Sequence, residues 1–252
     1  MAIKNPNFYL VIIGTEILNG RREDKHFSFV RDELLKRGWV LNASFIIADK
    51  PSLMEDIYTL IKKDPNSVMF SFGGIGATPD DYTREIAAKV FRDSKMETNQ
   101  EAKKLIVEQF KDKAYPHRIN MAKLPVDAGL LPNPVNKVPG FYLDERFFFV
   151  PGFPQMSHYM IKYALDKFYP KNRAKFRYTI CVEASENDLM DIMKKIPDEV
   201  EFSSLPSIED GKYKDVISIA SKDQNLAVKW INFFKEEVKK RGFKYSEDKN
   251  CI

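Results

Sequence analysis

The run Phe8–Ile13 (Phe-Tyr-Leu-Val-Ile-Ile) constrains this chain more than any other feature. A strand without polar alternation has to be covered on both faces, as in a parallel sheet packed between helices. The next eighty residues keep to that rhythm. After the polar turn Gly14-Thr15-Glu16, the segment His26–Lys36 carries Phe27, Val30, Leu34 and Leu35 at helical spacing, and Gly38 stops it. Trp39–Ala48 reads as a second strand with Phe45, Ile46 and Ile47 at its core. Pro51 opens a helix bearing Leu53, Ile57, Leu60 and Ile61, and Val68–Phe72 is a third strand. Strands alternating with helices from residue 8 to about 90 predict βαβ units and a mostly parallel sheet.

A helix over Asn99–Lys113 leads into a proline-rich region with short strands at Gly129–Leu131 and Gly140–Leu143. Phe147–Val150 is another buried strand rather than a base-stacking platform, since no basic residues interleave it. A helix from Gln155 to Phe168 comes next. Composition shifts near Tyr169–Arg173, which divides the chain into residues 1–170 and 171–252. Beyond it the order is strand (Phe176–Val182), helix (Asn187–Lys195), strand (Val200–Ser204), strand (Asp215–Ala220), helix (Asn225–Lys239) and a closing strand near Gly242–Tyr245. That order predicts a small ferredoxin-like α+β unit.

Composition excludes several classes. With 252 residues, 44% hydrophobic and 30% charged, the chain is globular and long enough for one to two domains. A net charge of +4 does not support dedicated nucleic-acid or membrane binding. No apolar stretch is long enough to span a bilayer and no signal peptide is evident. Cys181 and Cys251 form neither a disulfide framework nor a thiolate metal site, and suggest a reducing, cytoplasmic setting.

In an open α/β sheet, ligands bind beyond the carboxyl ends of the strands. Three strand ends carry candidates: Gly14-Thr15-Glu16, then Gly73-Gly74-Ile75-Gly76-Ala77-Thr78-Pro79-Asp80-Asp81, and Pro151-Gly152-Phe153-Pro154. The glycines allow close backbone approach with N–H groups aimed at oxyanions, and Thr78 adds a hydroxyl. Asp80 and Asp81 suit Mg²⁺, which takes carboxylate together with substrate phosphate oxygens. The ordinary alternative is that the glycines make a tight turn and the aspartates cap the helix through Ile86 and Val90. Neither a Gly-x-Gly-x-x-Gly fingerprint nor a P-loop is present. His26, His117 and His158 are scattered without metal-ligand spacing, and Ser28, Ser71 and Ser157 lack a nucleophile-elbow context.

Taken together, Gly14-Thr15-Glu16-Ile17-Leu18-Asn19-Gly20, Gly73–Glu85, Ala122-Lys123-Leu124-Pro125, Leu131-Pro132-Asn133-Pro134, Pro139-Gly140-Phe141 and Pro151–Met156 stand in one order. In that order the chain resembles the molybdopterin-binding domain of the CinA family, related to MoaB- and MogA-type proteins, over about residues 8–170. The resemblance implies a three-layer α/β/α fold with a mostly parallel sheet. It also implies divalent-metal-dependent hydrolysis of nucleotide pyrophosphate bonds of the ADP-ribose or FAD type, with non-catalytic molybdopterin or nucleotide binding as the alternative. Carried over, Asp81 and Asp80 are the catalytic groups. Gly14, Thr15, Glu16, Gly73, Gly74, Gly76, Thr78, Asn133, Pro151, Gly152 and Pro154 form the ligand-binding set, and Asp81, Asp80 and Glu16 hold the metal. A homo-oligomer is expected. The deamidase domain of longer relatives has no room in 252 residues, so that activity is not expected.

The chain also departs from the family pattern. Asp24-Lys25-His26 stands where Asn-Thr-Asn is usual, Ala77 where proline is, and Gln155 where glutamate commonly comes after the late loop. The first change falls on the wall that would read a substrate's base or ribose. The apolar stripe Leu226, Val228, Ile231 and Phe234 is read as covering the small sheet rather than binding another chain.

Overall fold

A computed structural model describes residues 3, 5–170, 175–209 and 211–247. The chain divides into two compact units, Met1–Asn172 and Arg173–Ile252. The position of the composition shift itself, Lys171–Arg173, lies outside the described residues.

The first unit runs β1 (Asn7–Ile13), α1 (Thr15–Leu18), α2 (His26–Lys36), β2 (Leu41–Ile47), α3 (Pro51–Lys62), β3 (Ser67–Phe72), α4 (Thr83–Arg92), β4 (Met96–Thr98) and α5 (Gln100–Phe110). It continues with β5 (Lys123–Pro125), β6 (Gly129–Leu131), β7 (Gly140–Leu143), β8 (Phe147–Val150) and α6 (Pro154–Phe168). Six strands form one sheet in the order β2-β1-β3-β8-β7-β6. The first four run parallel, and β7 and β6 add an antiparallel margin. β4 and β5 form a separate two-stranded ribbon, which the sequence pattern did not disclose because each strand has only three residues.

Each apolar run feeds both faces of this sheet. Val11, Ile13, Met69 and Phe149 pack with Tyr58, Ile61, Ile86 and Ile106 from α3, α4 and α5. Phe8, Leu10, Ile12, Phe70, Phe72 and Phe148 pack with Val30, Leu34, Ile161 and Leu165 from α2 and α6. The result is the expected three-layer α/β/α arrangement, with the unbroken hydrophobicity of β1 and β3 explained by helices on either side.

Two faces, one helical and one on a strand, differ from expectation. In α2, Phe27 and Leu35 are exposed, while His26, Val30, Glu33 and Leu34 are buried. Burying Glu33 is tolerable because Arg37 Nη1 lies 2.7 Å from its carboxylate and Nη2 reaches Asp166 on α6 at 2.5 Å. The buried polar residues had disguised which face of α2 turns inward. β2 is an edge strand, so Ile46 faces out and only Ile47 of its expected core is fully buried.

The second unit contains β9 (Phe176–Val182), α7 (Glu186–Met193), β10 (Glu201–Glu209), β11 (Lys212–Ser221), α8 (Gln224–Lys240) and β12 (Tyr245–Ser246). Its sheet order, β10-β11-β9-β12, is antiparallel throughout. That is the split βαβ pattern of a ferredoxin-like unit. Pro206 interrupts the donor row of β10 without penalty because β10 is an edge strand. Ile231 and Phe234 of α8 are buried against Ile180, Ile217 and Ile219, so the stripe covers the small sheet. Cys181 is disulfide-bonded; Cys251 lies outside the described residues. Among the described residues no helix is long and apolar enough to cross a membrane.

Candidate functional site

The carboxyl ends of β1, β3 and β8 meet at a crevice, where parallel-sheet proteins bind ligands. A cleft of about 610 Å³ opens there on the α3/α4 side. It is lined by Glu16, Gly73, Gly74, Gly76, Thr78, Asp80, Asp81, Asn133, Pro151 and Gly152, so ten of the residues expected from sequence converge. Gly14, Thr15 and Pro154 do not line it.

The turn after β3 is built to present backbone. Gly74 has φ +67°, and a Cβ there would lie 2.4 Å from Thr83 Oγ1. Gly73 has φ +103°, and a Cβ there would meet the Ile13 carbonyl oxygen at 2.6 Å. The Gly73 amide is not available to a ligand, because it donates to the Val150 carbonyl at 2.9 Å. The Gly76 and Ala77 amides are free for that role. Arg84 Nη1 donates to the carbonyls of Ile75 and Gly76, each at 2.5 Å. In a trans peptide the N–H points opposite to the C=O, so the Gly76 and Ala77 amides are turned away from the guanidinium. Neither amide has a hydrogen-bond partner among the described residues, and both residues line the cleft.

Arg84 itself is buried, its Nε lacks a partner, and it makes no ion pair among the described residues. Burial pulls its pKa below the ordinary value, partly offset by Glu85 and Asp81, but a guanidinium remains charged. A buried cation without a direct ion pair, only partly offset by Glu85 and Asp81, therefore lies behind two outward amides, and outward amides of this kind favour an anion.

Asp80 and Asp81 do not cap α4. The N-cap position is Tyr82, without a side-chain capping bond. Asp81 instead accepts from the Thr78 N–H at 2.8 Å and from the Thr78 hydroxyl at 2.5 Å. Asp80 is exposed, and hydrogen bonding with the Thr78 hydroxyl and its own backbone amide holds its carboxyl below the ordinary pKa. Thr15 serves the cleft indirectly: its N–H and hydroxyl donate to Asp49 Oδ2 at 2.7 and 2.8 Å. Asp49 lines the cleft and was missed in the sequence, although its place just beyond β2 was a usable signal. Asn133 lines the cleft, but its side chain is occupied in shaping a loop, donating to Asn136 Oδ1 at 2.6 Å and to the Val138 carbonyl at 2.9 Å.

Four carboxylates (Glu16, Asp49, Asp80 and Asp81) thus face two guanidiniums (Arg22 and Arg118) around the cleft. A phosphorylated ligand entering alone would meet net negative charge, so a cation accompanying it fits. Among the described residues no three His, Cys, Asp or Glu side chains gather as a metal-holding group. An exposed carboxylate pair without a cage suits Mg²⁺, which keeps waters and substrate phosphate oxygens in its shell.

A second hollow of about 760 Å³ lies at the same strand ends, lined in part by His26, Phe72, Phe153, Pro154 and His158. His26 Nδ1 and His158 Nε2 are 3.3 Å apart, although the two residues are far apart in sequence. His158 stacks on Phe29 with ring centroids 3.7 Å apart, and His26 packs on Phe72 at 4.3 Å. Burial, then the neighbouring His158, lowers the pKa of His26 to about 4, and burial lowers that of His158 as well. At pH 7 the His26 ring is neutral.

Comparison with known proteins agrees with this fold. The model of the family described as a probable molybdopterin binding domain matches residues 9–170. A CinA-like protein of Fusobacterium nucleatum is 30% identical over 168 residues, covering 66% of this chain and 41% of its own length. A protein of Sulfolobus acidocaldarius is 30% identical over 183 residues, covering 68% of this chain and 67% of its own. The crystal structure of the CinA protein of Thermoplasma acidophilum superposes with a TM-score of 0.57 at 26% identity, over 64% of this chain and 97% of that one. The chain spans less than half the length of the Fusobacterium relative. By its family match, its relatives and its fold, this chain is a member of the CinA family built on a molybdopterin-binding domain.

Proposed function

We propose that the chain hydrolyses the pyrophosphate bond of a nucleotide of the ADP-ribose or FAD type, with a divalent cation such as Mg²⁺ as cofactor. The observation that supports this reading most is the Gly76–Ala77 turn, whose two unpartnered amides face a cleft carrying four carboxylates. Asp80 and Asp81 would hold the ion, which offsets the charge of the diphosphate when bound. In the reaction a water oxygen adds to one phosphorus, the bond from that phosphorus to the bridging oxygen breaks, and two phosphomonoesters leave. The Gly76 and Ala77 amides, fixed beforehand by Arg84, receive the negative charge that grows on the phosphoryl oxygens. Fixed donors of this kind stabilise a transition state without reorganising during the reaction. Asp81 is itself held by Thr78, so its position does not depend on the ligand.

The test is hydrolysis of ADP-ribose and FAD by wild type and by Asp81→Ala, with Mg²⁺, Mn²⁺ or Zn²⁺ supplied in turn. Turnover that depends on the ion and falls at least ~100-fold in the variant is expected. An inactive wild type, or a variant equal to it, contradicts the proposal.

One observation favours a second reading, binding of molybdopterin or a nucleotide without turnover: Asp24-Lys25-His26 departs from the family's first-loop pattern, and Lys25 and His26 line the hollow beside the cleft. Native mass spectrometry separates the two. A stable pterin complex, with no nucleotide bound or consumed, would establish the binding module.

A further inference from the structure

The cleft and the second hollow flank the same strand ends from opposite faces of the sheet. The floor of the cleft includes Ile13 and Ile75 from the α3/α4 side, and that of the hollow includes Ile12 and Phe72 from the α2/α6 side. They share Ile13, Glu16, Arg22, Gly152 and Phe153. Between them lies a saddle where β1 and β3 are each followed directly by a glycine and β8 by Pro151-Gly152. A Cβ built on Gly152 would sit 3.7 Å from the Gly73 Cα, so the two backbones touch with no side chain between them. The floor of the crossing is backbone, and the side chains beside it are those of Glu16, Arg22 and Phe153.

Arg22 stands beside the saddle. Its Nη2 donates to the Gly152 carbonyl at 3.2 Å, its Nη1 is 3.7 Å from Glu16, and its guanidinium lies 5.8 Å from the centroid of Phe153. Phe153 is 56% exposed, a large apolar ring set between two ligand-sized spaces. The hollow is chemically unlike the cleft. Its inner wall is two imidazoles in contact, and its rim carries Glu16 and Glu23 as acceptors and Lys25 as a donor. Glu16 and Glu23 are balanced by Arg22 and Lys25, so the hollow has no excess charge of either sign, and aromatic rings with mixed donors and acceptors suit a planar heterocycle.

We propose that the hollow walled by His26, His158 and Phe153 receives the base of a nucleotide whose diphosphate crosses the glycine saddle to the Gly76–Ala77 turn. This assignment rests on the phosphate reading of the cleft. The substrate class it names is a nucleoside diphosphate derivative with its second half on the cleft side. Lys25 and His26, two residues of the segment that departs from the family pattern, both line the hollow, so base preference belongs to this chain's own residues.

The experiment compares two hydrolysis-resistant probes that differ by one adenosine, methylene diphosphonate and α,β-methylene-ADP, titrated calorimetrically into the full chain with Mg²⁺. In wild type the adenosine is expected to improve affinity at least tenfold. Lys25→Ala and His158→Ala, at positions that line the hollow and not the cleft, are expected to abolish most of that gain while leaving methylene diphosphonate affinity within twofold. Thermal melts of each variant check that the fold is retained. Diphosphonate binding with no gain from adenosine, or a gain that survives both substitutions, overturns the base subsite and leaves the phosphate reading standing. Failure of wild type to bind either probe overturns both.

Discussion

The cleft and the hollow border one saddle yet handle a ligand by different physics. The cleft is made of backbone: two amides turned outward by a buried guanidinium, in a turn whose glycines permit conformations that side chains resist. The hollow is made of side chains: two imidazoles in contact, His158 stacked on Phe29 and His26 tilted against Phe72. A backbone site tolerates change except at its glycines and its anchor, and it recognises charge. A side-chain site depends on every ring, and it recognises shape. On the proposed reading the difference separates catalytic geometry from substrate preference, and it orders the ways of breaking the arrangement.

The largest effect is expected at Gly74. Its positive φ and the 2.4 Å approach of an added Cβ to Thr83 Oγ1 predict that Gly74→Ala costs about 2–4 kcal/mol. Denaturant unfolding would register this, and methylene diphosphonate binding should vanish; a variant as stable as wild type would show that the turn is not under this constraint. Next comes Arg84→Met, which keeps the bulk but strands the Ile75 and Gly76 carbonyls. A loss of about 2–3 kcal/mol is expected, with diphosphonate affinity down at least tenfold. If stability falls while affinity does not, the amides are oriented by something other than Arg84.

The hollow responds to pH. Because His26 has its pKa lowered to about 4, against an unfolded value near 6.5, the unfolded chain binds the additional proton first. Stability is therefore complete above pH 6.5 and is lost as pH falls from there through 4. Between pH 7 and 5 the loss is about 1–2 kcal/mol. His26→Phe should flatten this part of the profile, and a wild type equally stable at both pH values would refute the burial argument. The smallest effect serves as a control outside both spaces. Tyr58 Oη and Ser71 Oγ are 2.7 Å apart in the core, so Tyr58→Phe should cost about 1 kcal/mol and leave both probes' affinities unchanged.

Legibility in the sequence divides along the same line. The strands β1, β3 and β8 and the turn after β3 were legible because contiguous residues carry the signal: an apolar run, then glycines, then two carboxylates. Even there, sequence could not show that Gly73 gives its amide to Val150 while Gly76 and Ala77 keep theirs, because that depends on which carbonyls Arg84 reaches. The hollow was illegible. His26 and His158 lie on separate helices, and nothing local to either predicts the contact. The buried face of α2 was misjudged for a related reason, since Glu33 is stabilised by Arg37, which also bridges to Asp166, a residue of another helix.

Everything proposed for the cleft depends on the Gly76–Ala77 amides being the anion-binding element of this chain. Amide chemical shifts followed by ¹H–¹⁵N spectroscopy, with methylene diphosphonate and Mg²⁺ titrated into the full chain, probe those two groups without intermediaries. Gly76 and Ala77 are expected to move most, in step with saturable binding, while the Gly73 N–H, committed to Val150, stays nearly still. Saturable binding that leaves both amides unmoved would place the anion elsewhere and refute the assignment.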